Sequence, residues 1–92
     1  MASVVVSLRI MPKDVNVDLH SLEKHAKEEI VKFCNSDEFK VEVQPIAFGL
    51  NTLIILFVME ESIGSTEKLE QKISQIDGVE SVEVTDVRRA VG

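Results

Sequence analysis

Leu53-Ile54-Ile55-Leu56-Phe57-Val58 is six apolar residues in a row, with no polar position on either alternate side. Such a run belongs to a buried helix or to the central strand of a sheet. Six residues make fewer than two helical turns but a full strand, so the strand is the reading. Glu60-Glu61 stop it. Upstream, Ile46-Ala47-Phe48-Gly49-Leu50-Asn51 is a connection with a glycine in it. Before that, Phe39, Val41 and Val43 alternate with Lys40, Glu42 and Gln44, the pattern of a half-buried strand. Pro45 cannot donate to a ladder, which places this strand at an edge.

Working outward, Val4, Val6, Leu8 and Ile10 alternate with Val5, Ser7 and Arg9 in a β-branched stretch that Pro12 ends. Lys13 to Val17 reads as a loop. Asp18 is a good N-cap, and Val17 and Leu22 stand at the two positions of a hydrophobic staple. A helix then runs to about Cys34, with Leu19, Leu22, Ala26, Ile30 and Phe33 along one stripe. Asn35-Ser36-Asp37 is a turn. Gly64-Ser65-Thr66 opens a second helix with Ser65 as its cap, and Leu69, Ile73 and Ile76 line one face. Gly78 is placed to be its C′ residue. Val79 to Val87 is the last strand, with Val82 and Val84 on one face, followed by Arg88, Arg89 and a short tail.

The order is β-α-β-β-α-β. Two βαβ-type halves in one short chain predict an α+β, ferredoxin-like sandwich: a four-stranded antiparallel sheet with both helices on one face. In that fold the first and third strands are central, and these are the two most apolar strands of the chain.

A length of 92 residues predicts one domain, residues 1–92. Hydrophobic residues make up 45% and charged residues 28%, ordinary for a globular protein. Ten Lys and Arg against sixteen Asp and Glu give a net charge of −6, which repels phosphate backbones and argues against direct nucleic-acid binding. A single cysteine, Cys34, excludes an internal disulfide and suits a reducing compartment. The first residues lack the basic start and long apolar core of a signal peptide. Leu53 to Met59 is too short to span a bilayer, so no membrane association is expected. The expectation is a cytoplasmic protein.

The fold hosts many functions, so its usual chemistries were sought in the residues. An RNA-binding member needs aromatics on its central strands for base stacking, and only Phe57 is there. A metallochaperone needs paired cysteines. Cys34 lies on an apolar helical stripe with no base placed near it, which reads as a small buried hydrophobe. His20 and His25 are five apart and do not share the face that a helical zinc pair requires. Glu60-Glu61 reads as a solvated strand end. Gly49, Gly64 and Gly78 are isolated and form no phosphate loop. No metal or cofactor is expected, and no catalytic group of an enzyme is in view. A binding module is what remains.

Three stretches carry a resemblance. They are Ile10-Met11-Pro12 with Val17-Asp18-Leu19, then Pro45-Ile46-Ala47-Phe48-Gly49-Leu50, then Val82-Glu83-Val84-Thr85-Asp86-Val87-Arg88-Arg89. In order and at this spacing they resemble archaeal-type translation elongation factor 1-beta over essentially the whole chain. The resemblance to the C-terminal exchange domain of the eukaryotic counterpart is more distant. It implies a guanine-nucleotide exchange factor that binds elongation factor 1-alpha and releases its GDP so that GTP can load. A ferredoxin-like fold is implied as well.

The resemblance also implies where the partner is met. An aromatic corresponding to Phe48, with Gly49 beside it, engages the GTPase in related factors. The alternative is that Phe48 caps the core of the sheet. A lysine near the C-terminus of the eukaryotic relatives reaches the magnesium site, and Arg89 stands at the matching position, with Arg88 before it. An arginine fork does not substitute freely for an ammonium. The alternative is a solvated pair of charges ending a strand. Asp86 either orients an arginine or ends the ladder. Outside the resemblance, this fold class also suits a small regulatory domain binding an amino acid or other metabolite, or a domain that only assembles subunits.

Overall fold

The valine-rich start of the chain buries every second residue. Val4, Val6, Leu8 and Ile10 are all inside, and Val5, Ser7, Arg9 and Met11 point the other way. This is β1, Ser3–Pro12. The computed structural model describes residues 2–36 and 38–89. Asp37 of the expected turn, Met1 and the C-terminal tail from residue 90 lie outside the described residues.

Helix α1, Leu19–Cys34, begins as its sequence predicts. The Asp18 carboxylate accepts from the backbone N–H groups of His20 at 3.0 Å and Ser21 at 3.4 Å. These are two of the donors that a helix start leaves without partners. Leu22, Ala26 and Ile30 form the buried stripe. The helix ends at Asn35, whose φ of 55° lets its N–H reach the Val31 carbonyl at 2.8 Å.

Strand β2, Phe39–Pro45, lies at one edge, as Pro45 requires. Strand β3, Asn51–Glu60, is longer than the apolar run that predicts it. A single 3-10 turn, Glu61–Ile63, leads to helix α2, Glu67–Ser74. Two expectations shift here. The cap residue of α2 is Thr66, while the Ser65 hydroxyl accepts from the Glu67 N–H at 3.1 Å. Gly78 is not the C′ residue, because the helix ends four positions earlier. It opens the next strand instead, at φ +94°, and a Cβ there would stand 3.0 Å from Val17 Cγ1. Its carbonyl accepts from the Lys13 N–H at 2.9 Å, which ties the two loops at that end together.

Strand β4, Val79–Arg89, runs two residues past its expected end, so Arg88 and Arg89 are part of the strand and do not follow it. The sheet is antiparallel in the order β2-β3-β1-β4, with the two most apolar strands in the middle, as the ferredoxin-like reading requires. One sheet face meets both helices. There Leu8, Ile10, Leu53, Ile55 and Phe57 pack with Leu22, Ile30, Leu69 and Ile73 in one cluster. Each such buried side chain contributes about 1.5–3 kcal/mol of apolar transfer energy. Among the described residues, no helix is long and apolar enough to cross a membrane.

Candidate functional site

Five residues reverse the chain between β2 and β3. Ile46 donates its N–H to the Leu50 carbonyl at 2.9 Å, and Leu50 donates to the Ala47 carbonyl at 3.0 Å. The second bond closes a four-residue turn, Ala47-Phe48-Gly49-Leu50. Both central residues have positive φ, 55° at Phe48 and 77° at Gly49. That is the requirement of a type I′ turn, whose twist suits a hairpin. Gly49 meets it without a steric cost. Phe48 does not, since a side chain in the left-handed region costs about 1–2 kcal/mol.

No burial offsets this cost. Phe48 is 97% exposed, so it does not cap the core. Its neighbours are also uncovered. Val15, Val43 and Ile46 are each at least half exposed. A Cβ on Gly49 would lie 3.7 Å from Val15 Cγ1, so the loop after β1 stands beside the turn. Val15 and Ile46 were not singled out from the sequence. Their signal was present but weak: apolar residues inside segments that otherwise read as polar connections.

The arginines occupy the opposite end. Val4 pairs with Met59 on one side and with Arg89 on the other, whereas Leu53, just after the turn, pairs with Ile10. At about 3.3 Å per strand residue, Phe48 and Arg89 are roughly 30 Å apart. The residues picked from the sequence therefore form two places, Phe48 with Gly49 and Asp86 with Arg88 and Arg89.

A bulge decides how the second place is arranged. Leu8 pairs with Val84 but Ser7 pairs with Asp86, so Thr85 is an extra residue in β4. The Thr85 hydroxyl donates to the Ser7 carbonyl at 3.3 Å. Beyond the bulge the alternation is reversed. Val87 and Arg89 fall on the helix-side face, and Asp86 and Arg88 on the open face. Simple alternation from Val82 and Val84 would give the opposite assignment.

Each arginine already has a carboxylate. Arg88 Nε lies 2.6 Å from Asp86 Oδ2, and Arg89 Nη2 lies 3.2 Å from Glu61 Oε1. Asp86 thus orients an arginine and does not end the ladder. Both arginine side chains remain 75% or more exposed. Ion pairs of this kind contribute about 0.2–1 kcal/mol, so either arginine can change partner at little cost.

Comparison with known proteins assigns this architecture to a family. A sequence model of the EF-1 guanine nucleotide exchange domain matches residues 5–90. The chain belongs to the EF-1 guanine nucleotide exchange domain family. The elongation factor 1-beta of Methanothermobacter thermautotrophicus is 40% identical over 89 residues, covering 97% of this chain and 98% of the relative. The same-named protein of Methanobrevibacter smithii is 39% identical with the same coverage. Among solved structures, the de novo designed protein Foldit4 superposes with a TM-score of 0.63 at 24% identity, covering 98% of each chain. This last likeness concerns the fold alone.

Cys34 is half-buried, and its thiol donates to the Ile30 carbonyl at 3.4 Å. Burial pushes the thiol up from its ordinary value, and a hydrogen bond with the Ser36 backbone partly opposes this. A thiol held in that way is a poor nucleophile. Among the described residues, no three His, Cys, Asp or Glu side chains are grouped to hold a metal ion.

Proposed function

We infer that this chain is a guanine-nucleotide exchange factor that promotes GDP release from elongation factor 1-alpha so that GTP can rebind. The match to the exchange-domain family across residues 5–90 carries this reading. A cytoplasmic place of action, beside translation, goes with it.

A protein can do this without covalent chemistry. A GTPase holds GDP through backbone N–H groups around its phosphates and through a Mg²⁺ ion. The exchange factor needs only to bind the nucleotide-free state better than the loaded one. Whatever factor it gains by that preference, GDP loses in affinity, because the coupling is reciprocal.

In this reading the two ends divide the work. Phe48, presented by Gly49 and the turn, is the apolar anchor. An aromatic held clear of its own protein can enter a pocket of the partner without first leaving a pocket of its own. Arg88 and Arg89 supply positive charge toward the magnesium and phosphate region. A guanidinium there opposes Mg²⁺ and offers donors to phosphate oxygens. Asp86 and Glu61 hold the arginines until contact. The separation of roughly 30 Å means that both places are met together only by a partner broad enough to span the sheet.

The test is release of a fluorescent GDP analogue from elongation factor 1-alpha at fixed Mg²⁺, with and without the chain. The reading expects a concentration-dependent acceleration that Phe48→Ala and Arg89→Ala each reduce. Binding without acceleration would replace it with a subunit-assembly role.

A further inference from the structure

Strand β3 breaks the usual rule for its sheet type. Antiparallel strands with one uncovered face alternate apolar and polar residues. Here Leu53, Ile55 and Phe57 face the helices, yet Ile54, Leu56 and Val58 on the other side are apolar too. They are only half-buried, flanked by neighbouring strands. The register sets them in a central strip. Val58 lies opposite Val5, Leu56 opposite Ser7, and Ile54 opposite Arg9.

Charged pairs border this strip. Lys40 Nζ lies 3.8 Å from Glu42 Oε1 on β2, and Arg88 pairs with Asp86 on β4. Arg9 pairs with Glu83 across β1 and β4. An apolar centre with a rim of polar groups is how specific protein interfaces are built.

Area points the same way. An exposed aromatic buries about 150–250 Å² on contact. Phe48 and one arginine of similar size therefore supply about half of the roughly 800 Å² that each partner buries in a specific complex. Four strands about 4.8 Å apart, over about 20 Å of their length, present roughly 400 Å² more. The open face lies between the Phe48 turn and the Arg88–Asp86 pair, which itself stands on that face.

We propose that elongation factor 1-alpha lies across the open face of the sheet, seated on Val5, Ile54, Leu56 and Val58. This rests on the exchange reading and adds a contact surface to it. The Phe48 turn and the β4 end are then the two margins of one continuous interface.

The experiment uses the wild-type chain with labelled Val, Leu and Ile methyl groups, titrated with nucleotide-free elongation factor 1-alpha. The methyl signals of Val5, Ile54, Leu56 and Val58 are expected to shift and to saturate together with those of the turn. Shifts confined to the turn and the β4 end, with acceleration of GDP release intact, would overturn the proposal and leave exchange standing. No acceleration by the wild-type chain would overturn both. Shifts of the same methyls with the chain's own concentration, unchanged by the GTPase, would assign the face to a second copy and overturn the proposal. The doubly substituted Ile54→Thr, Leu56→Thr chain keeps β-compatible side chains and is expected to raise Kd about tenfold. An unchanged Kd, with the melting curve showing it folded, would count against the seat.

Discussion

Replacing Phe48 by asparagine should make the protein more stable and a worse exchange factor. Phe48 holds a φ of 55° at the first central position of its turn, where asparagine or glycine is preferred. Asparagine enters the left-handed region several-fold more readily than other side chains. The native residue costs about 1–2 kcal/mol there. At 97% exposure it supplies almost no packing in return. The net gain from Phe48→Asn is therefore about 1 kcal/mol. For a domain of this size that raises Tm by about 4–8 °C. The same change removes the proposed anchor. Truncating such a residue costs about 2 kcal/mol of binding or more, which is a loss of about thirtyfold in affinity for the GTPase. Phe48→Ala separates the two effects, because alanine loses the anchor but keeps most of the left-handed cost. Its Tm should stay near that of the wild type. Thermal melting and release of labelled GDP, measured on the three proteins, check this. A Tm for Phe48→Asn at or below the wild-type value would refute the account of the turn. Unaltered exchange would refute the anchor.

Arg88→Ala and Arg89→Ala should each leave stability within about 0.5 kcal/mol of wild type, since both ion pairs are exposed, while slowing GDP release; denaturant titration beside the exchange assay measures both. Asp18→Ala removes the cap of α1 and should lower stability by about 1 kcal/mol with no direct effect on exchange, read from the urea midpoint. Cys34 has its thiol pushed above the ordinary value of 9.0 by burial. Its contribution to stability is therefore complete below pH 9 and is lost as pH rises beyond it. Alkylation by iodoacetamide near pH 8 should be slower in the folded chain than in urea, and equal rates would contradict the burial.

Much of the fold was legible because local signals agreed with one another. Asp18, Val17 and Leu22 mark the start of α1 three times over, and the structure uses the Asp18 cap as read. The density of Val and Ile in β1 and β3 marked the two central strands. The second helix was less clear. Ser65 and Thr66 are both able to cap: Thr66 takes the cap position without a side-chain bond to the helix start, while the Ser65 hydroxyl accepts the Glu67 N–H. Gly78 has the glycine that a helix end prefers, but its role is a close approach to Val17 from another part of the chain. A contact between two loops leaves no trace in the spacing of either.

The candidate site was legible as residues but not as a shape. Phe48 stood out as an aromatic in a Pro- and Gly-flanked connection, yet its exposure comes from a turn geometry that the pair Phe-Gly does not advertise. The arginines stood out as a pair, but the Thr85 bulge decides which face each takes, Arg89 the helix side and Arg88 the open side. One extra residue in an edge strand exchanges every later side chain between faces. Simple alternation from Val82 and Val84 would therefore put Arg88 and Arg89 on the wrong sides, and nothing in the residues marks the bulge. The same logic applies to the apolar run that set the fold. Burial by the two helices accounts for Leu53, Ile55 and Phe57 alone. Ile54, Leu56 and Val58 lie half-buried on the face that the helices leave open, and the proposed seat of the partner gives that face a reason to be apolar.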